Sequence, residues 1–112
     1  MTEWVLAYTG PDTIKIGAID YKIMPMTPEE ARRDEALGKC DNENAEISVV
    51  FDRTPRVGAV TLLHEIMHAI WYVQDLRGKE KEERVVSALS SGLAAAMRDN
   101  PKVFEWIGEA LV

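Results

Sequence analysis

The sequence predicts a single α+β domain, with a small antiparallel or mixed sheet in its N-terminal half and helices in its C-terminal half. Three observations predict this class. The chain has 112 residues, which suits one hydrophobic core. Short apolar segments separated by turn residues fill the first half. The second half carries apolar residues at helical spacing between proline and glycine boundaries.

The first half contains the predicted strands. Apolar residues alternate imperfectly around Gly17 in Thr13–Met24, which indicates two short strands or one bulged strand. An earlier strand is expected at Trp4–Tyr8. Lys39–Asp41 and Ile47–Phe51 flank an Asn-Glu-Asn turn and form a hairpin-like unit. The second of these segments, Ile47–Phe51, is apolar and β-branched, so we expect it to pack in the core. It is also a candidate sheet edge at which an extended peptide substrate could bind.

A short polar helix is expected between these strands, over Pro28–Leu37. Thr27 is its N-cap and Gly38 is its stop signal. A much longer helix begins with Thr54 as its N-cap, followed by a first-turn proline, and runs to about Leu76. This long helix is apolar nearly all round, so we expect it to be buried.

Two further helices complete the predicted fold. The first covers roughly Glu80–Arg98, and the second runs from Pro101 to the C-terminus. The tryptophans at 4, 71 and 106 are expected to pack in the core. The whole chain, 1–112, is therefore predicted to be one domain, in which the sheet packs on the long helix and the two later helices.

Composition excludes several classes of partner. The chain has 13 basic and 19 acidic residues, a net charge of −6, which argues against nucleic acid and anionic membrane surfaces. No apolar run approaches the roughly 18 residues of a membrane span. A lone cysteine, Cys40, excludes a disulfide scaffold. The start of the chain has no basic signal region, so we expect a cytoplasmic protein.

The principal functional signal is His64-Glu65-Ile66-Met67-His68, which contains both histidines of the chain. Residues four apart lie on one helix face, so the two imidazoles can bind one tetrahedral Zn²⁺. Glu65 lies about 100° round the helix from His64. It is therefore out of ligand position but within reach of a metal-bound water, as in HExxH zinc peptidases.

A third zinc ligand is required, because a catalytic zinc keeps three protein ligands and one open position. No third histidine exists, so the ligand must be a carboxylate, and Lys79–Arg84 at the start of the next helix supplies candidates. Glu82 is followed at helical spacing by an apolar stripe. Glu83 is followed by a mixture of small and apolar residues, which suits close helix packing. Helical periodicity alone does not decide whether Glu82 or Glu83 is the third zinc ligand.

The segment His64–His68, followed by a glutamate that opens the next helix, resembles the gluzincin zinc peptidases. More closely, Thr61–Ile70, with Glu83–Leu93 and Arg98–Pro101, resembles small phage-type members of the ImmA/IrrE-like metallopeptidases. The resemblance covers about residues 46–101. It implies a minimal zincin-like metallo-endopeptidase domain that acts on a peptide or protein substrate.

The resemblance also implies Glu83 as the third ligand, with Glu82 as the alternative. The family's glutamate is followed by two residues, then Ala, then Asn or Asp. Counting from Glu83 matches this pattern in size and polarity, although not in identity. Ser87 stands where the family has Asn or Asp, at the position that would hydrogen-bond a zinc ligand.

The predicted activity is zinc-dependent peptide-bond hydrolysis, with Glu65 as general base and with His64, His68 and Glu83 as metal ligands. The alternative is a zinc-containing, non-catalytic binding or inhibitory module, phage-encoded. A hydrogen-bond donor for the oxyanion is also expected. Tyr72 lies on the ligand face of the helix and is one candidate.

Other residues have open roles. Tyr8 and Tyr21 are further candidates for the oxyanion donor. Cys40 could bind the open zinc position and keep an enzyme latent, or it could close a structural zinc site as fourth ligand. A buried free cysteine is the commoner role for such a residue.

Overall fold

A computed structural model describes residues 8–112 and has the predicted α+β architecture. Its four strands form one mixed sheet in the order β1-β2-β4-β3. The strands are β1 (Thr13–Ile16), β2 (Ile19–Pro25), β3 (Gly38–Asp41) and β4 (Glu46–Val49). β4 pairs parallel with β2 and antiparallel with β3, while β1 pairs antiparallel with β2. The strand expected at Trp4–Tyr8 lies outside the described residues, apart from Tyr8.

Four helices pack with this sheet. They are α1 (Pro28–Asp34), α2 (Pro55–Val73), α3 (Glu82–Asp99) and α4 (Pro101–Leu111). The predicted N-caps are confirmed: Thr27 Oγ1 accepts the backbone N–H of Glu30 at 3.0 Å, and Thr54 Oγ1 accepts that of Val57 at 3.2 Å. These bonds satisfy donors that the first helical turn leaves free.

Gly17 separates two strands and does not form a bulge within one. Its φ of +62° lies in the left-handed region, which glycine adopts at little cost. The two-strand interpretation of Thr13–Met24 is therefore confirmed, with Ile16 paired to Ile19 across the turn.

Three predicted helix boundaries differ from those observed. α1 ends at Asp34 because Glu35 adopts the left-handed conformation at φ 52°, so Gly38 begins β3 and does not stop a helix. α2 ends at Val73, before a turn in which Asp75 has φ 56°. α3 begins at Glu82, two residues later than predicted.

The prediction that Ile47–Phe51 offers a sheet edge is wrong. β4 is an interior strand that is hydrogen-bonded on both sides, to β2 and β3. Ile47 and Val49 have no solvent exposure, in keeping with an interior strand. In the described part of the chain, the edges are β1 and β3.

α2 is buried on one face only, which corrects the prediction that it is buried nearly all round. Its apolar residues Leu62, Ile66 and Ile70 belong to the main core cluster and have no exposure. The opposite face is open to solvent and carries His64 and His68.

Two tryptophans are described. Trp106 is in the core as predicted and packs edge-on to Phe51, with ring centroids 5.7 Å apart. The core prediction is wrong for Trp71, which is partly buried but lines a cleft beside the histidines and lies outside the core cluster of the described residues. None of the helices within residues 8–112 is long and apolar enough to cross a membrane.

Candidate metal centre

The two histidines of α2 converge. Their Nε2 atoms are 3.1 Å apart, and their ring planes are inclined by 70°. Two nitrogens that bind one tetrahedral zinc at 2.0–2.1 Å would lie about 3.3 Å apart. His64 and His68 therefore fit two adjacent positions of a zinc ion, and their exposure leaves room for further ligands.

Glu65 lies beside this pair but on the buried side, with 6% of its surface exposed. Burial raises the pKa of its carboxyl group, and the neighbouring His64 and His68 oppose that shift. No hydrogen bond to the carboxylate is formed within the described part of the chain.

Glycine 38 of β3 lies directly against this carboxylate. A Cβ at Gly38 would come within 3.1 Å of Glu65 Oε2, 3.0 Å of the Ser48 carbonyl oxygen and 2.7 Å of Thr61 Cγ2. The strand therefore packs close to the helix where the motif begins. The sequence indicated Gly38 only as a helix stop; its contact with Glu65 depends on strand packing that has no local signal.

The predicted third ligand is not brought to the histidines. Among residues 8–112, no group of three or more His, Cys, Asp or Glu side chains is arranged to hold a metal ion. Glu82 and Glu83 both lie exposed in the first turn of α3. The Ser87 hydroxyl donates to Glu83 Oε1 at 3.4 Å, one helical turn away on the exposed surface of α3.

The three candidate tyrosines occupy different environments. Tyr8 stacks on Phe51 in the core, with ring centroids 4.9 Å apart. Tyr21 is fully buried and donates to Asn42 Oδ1 at 2.7 Å, and burial raises its pKa to about 12. Tyr72 is half exposed and shares a cleft with His68. Of the three, Tyr72 alone combines exposure with proximity to the histidines.

Cys40 is half-buried, and its thiol donates to Asn42 Oδ1 at 3.3 Å. Burial raises its pKa to about 11, and the negative charges of Glu65 and Asp41 add to the shift. The thiol is therefore protonated at neutral pH.

Comparison with protein-family models, curated proteins and solved structures found no match for this chain.

Proposed function

We propose that this chain is a zinc-dependent metallopeptidase that cleaves peptide bonds. The observation that carries the proposal is the convergence of the His64 and His68 Nε2 atoms to 3.1 Å on a solvent-open helix face, beside the buried carboxylate of Glu65. Two imidazoles at the spacing of zinc ligands and a neighbouring carboxylate supply two ligands and a general base for metal-assisted hydrolysis, which also needs a third ligand.

Each residue has a distinct role in the proposed reaction. His64 and His68 hold the zinc, which when bound would activate a water and polarise the scissile carbonyl. Glu65 accepts the proton of the attacking water and passes it to the leaving amine.

We propose Glu83 as the third ligand, supplied by the first turn of α3. Its hydrogen bond from Ser87 supports this choice, since metal-binding carboxylates are commonly held by a second hydrogen-bonding group. Glu82 receives no such bond within the described residues. Reaching the histidines requires the start of α3 to move toward α2 when zinc binds, as coupling of metal binding to folding allows.

The edge of β3 is the proposed place for an extended peptide. β3 lies against α2 at Gly38 and is an edge strand in the described sheet. The other edge strand, β1, is partly occupied: the backbone N–H and C=O of Lys15 both bond to the Asn100 side chain at 2.7 Å. A peptide added to β3 would use free backbone groups next to Glu65.

Zinc content is the first test of the proposal. Protein purified without chelator and supplied with zinc should hold one zinc per chain by elemental analysis. Glu83→Gln should weaken zinc retention much more than Glu82→Gln, its matched control one residue away. The reverse order would make Glu82 the ligand, and absence of stoichiometric zinc would reject the metal site.

Glu65→Gln tests the chemistry. Glutamine keeps the shape but cannot accept the proton, so zinc should be retained while cleavage falls by roughly 10²–10⁴-fold. A broad peptide library read by mass spectrometry compares the two proteins without an assumed substrate. Zinc-dependent cleavage that survives the substitution would reject Glu65 as the base. Absence of cleavage by the zinc-loaded native protein would favour the non-catalytic binding module.

A further inference from the structure

We infer that a cleft at one end of the sheet binds a peptide through an uncharged main-chain carbonyl, with the side-chain amide of Asn42 as the hydrogen-bond donor. The cleft lies where the β1–β2 turn, the β3–β4 turn and the last turns of α2 meet, and it is named the turn cleft below. Its volume is about 540 Å³, within the range of about 300–1,000 Å³ found for ligand pockets.

The amide of Asn42 is held in one orientation by two neighbouring side chains. Its Oδ1 accepts the hydroxyl of Tyr21 at 2.7 Å and the thiol of Cys40 at 3.3 Å. Tyr21 has no solvent exposure, and within the described residues Asn42 Oδ1 is the one acceptor that its hydroxyl reaches. A buried hydroxyl needs such a partner. The amide therefore cannot turn over without leaving the Tyr21 proton unpaired.

The N–H groups of Asn42 Nδ2 are the part of this side chain that remains available. An amide oxygen offers two lone pairs, and Tyr21 and Cys40 occupy both. Within residues 8–112, Nδ2 donates to no other group, and Asn42 lines the turn cleft. A ligand in the cleft therefore meets Asn42 as a donor and must itself offer an acceptor.

The surrounding charges favour an uncharged acceptor. Apart from the imidazole of His68, no basic side chain lines the described cleft, whereas the carboxylate of Asp75 does. Asp75 pairs with Arg77 at 3.1 Å, but both side chains are about three-quarters exposed, so water screens the pair. The carbonyl end of α2, at Val73, adds partial negative charge. A carboxylate or phosphate would be repelled, whereas an amide carbonyl carries no net charge.

The acceptor must also be attached to an apolar group. Most of the remaining lining is apolar and includes Ile19, Trp71, Val73 and Leu76. A sugar or another polyol would lose hydration against these side chains without gaining partners. An apolar side chain would gain from burial of its surface. An uncharged carbonyl next to an apolar side chain is what an apolar residue within a peptide chain presents.

The position of the cleft also suits a peptide. Asn42 directly follows the edge strand β3, so a chain that pairs with this edge would continue into the turn cleft. No residue of α3 belongs to the described lining, so the cleft does not depend on where α3 begins. Binding here requires no metal, and it suits a peptidase and a non-catalytic binding module equally.

The test is a nitrogen-15 NMR titration of the full-length protein, kept metal-free with chelator so that no peptide is cleaved. The probes are the capped peptides acetyl-Ala-Leu-Ala-amide and acetyl-Ala-Glu-Ala-amide, which differ in the central side chain. The leucine peptide should shift the side-chain NH₂ resonances of Asn42. It should also bind at least about fivefold more tightly than the glutamate peptide, whose carboxylate meets no cation in the cleft.

Asn42→Asp tests the donor itself. Aspartate keeps an oxygen for Tyr21 and Cys40 but replaces the NH₂ group with a second acceptor. Affinity for the leucine peptide should fall at least about tenfold, because a hydrogen bond is lost and two acceptors then face each other. Asn44→Ala is the control: Asn44 lies in the same turn, donates to Asp41 Oδ2 at 2.8 Å and does not line the cleft. It should change the affinity by less than about twofold.

Three results would each overturn the inference: no saturable binding of the leucine peptide, equal binding of both peptides, or unchanged affinity in Asn42→Asp. Circular dichroism checks that the variants fold. If Asn42→Asp does not fold, the native protein decides, because Asn42 NH₂ resonances that do not shift at saturation would also overturn the inference. Zinc is absent throughout, so these results do not bear on the metal site. Conversely, failure of the protein to hold zinc would leave peptide binding at the turn cleft standing.

Discussion

Helix α2 has two faces whose side chains are held in place by different interactions. On one face, Leu62, Ile66 and Ile70 are completely buried in the main core cluster. On the other, His64 and His68 are exposed and approach each other to 3.1 Å. Packing accounts for the residue types of the first face. On the second face, the Nε2–Nε2 distance is that of a hydrogen bond between the two rings and is also close to the spacing of two zinc ligands, which is the feature that the proposed function uses.

Glu65 lies at the border between the buried face and the exposed face of α2. It is buried like the core residues, yet it is a carboxylate without a hydrogen-bond partner in the described part of the chain. The general-base role proposed for Glu65 needs a carboxylate next to the histidine pair, and this position supplies one.

The largest expected effect is a core truncation on the buried face. Ile66→Ala should lower the free energy of unfolding by about 2–5 kcal/mol, because it removes buried methyl groups and leaves a cavity. Urea denaturation of the metal-free protein measures the change. Val60→Ala, on the same helix but 54% exposed, should change stability by less than about 0.5 kcal/mol. Similar losses from both variants would contradict the two-face description.

An added methyl group at the contact between α2 and α3 should have the next largest effect. A Cβ at Gly92 would come within 2.5 Å of Ile70 Cγ2, a buried core atom. Gly92→Ala should therefore lower the free energy of unfolding by about 1–2 kcal/mol, because overpacking exceeds the gain in helix propensity. Gly108→Ala on α4 is the control: nothing lies within 4 Å of its added Cβ, so it should stabilise the protein.

A smaller effect is expected where β3 meets α2. Gly38→Ala should cost about 1 kcal/mol, since the new methyl group would lie 2.7 Å from Thr61 Cγ2. Thr61→Ser removes that carbon and keeps the hydroxyl that donates to the Val57 carbonyl. A double-mutant cycle should therefore give a coupling of at least about 0.5 kcal/mol, with the double variant recovering stability. Additive losses would show that the strand does not pack on Thr61 as described.

The smallest effect on folding is expected on the exposed face. His64→Ala should change the stability of the metal-free protein by less than about 0.5 kcal/mol, because the ring is exposed and packs little. The same variant should lose the rise in melting temperature that zinc produces in the native protein. Thermal unfolding with zinc and with chelator measures both quantities. A large loss without metal would assign His64 a structural role.

Much of the fold was predictable because its signals are local. Thr54 caps α2 and Gly17 turns between β1 and β2, each through hydrogen bonds or backbone angles set within a few residues. The end of α1 was missed because Glu35, a residue without a glycine's freedom, adopts the left-handed conformation. The strand order was missed because pairing of β4 with β2 joins segments separated by a helix and a strand.

The sequence by itself determined the spacing of His64 and His68, because residues four apart on any α-helix share a face. Only the tertiary structure decided that this face is open to solvent, that β3 lies against Glu65, and that a cleft with Leu89 adjoins the histidines. The physical reason is the range of the interactions. Helix geometry follows from neighbouring peptide units, whereas exposure and clefts depend on how distant elements share one small core.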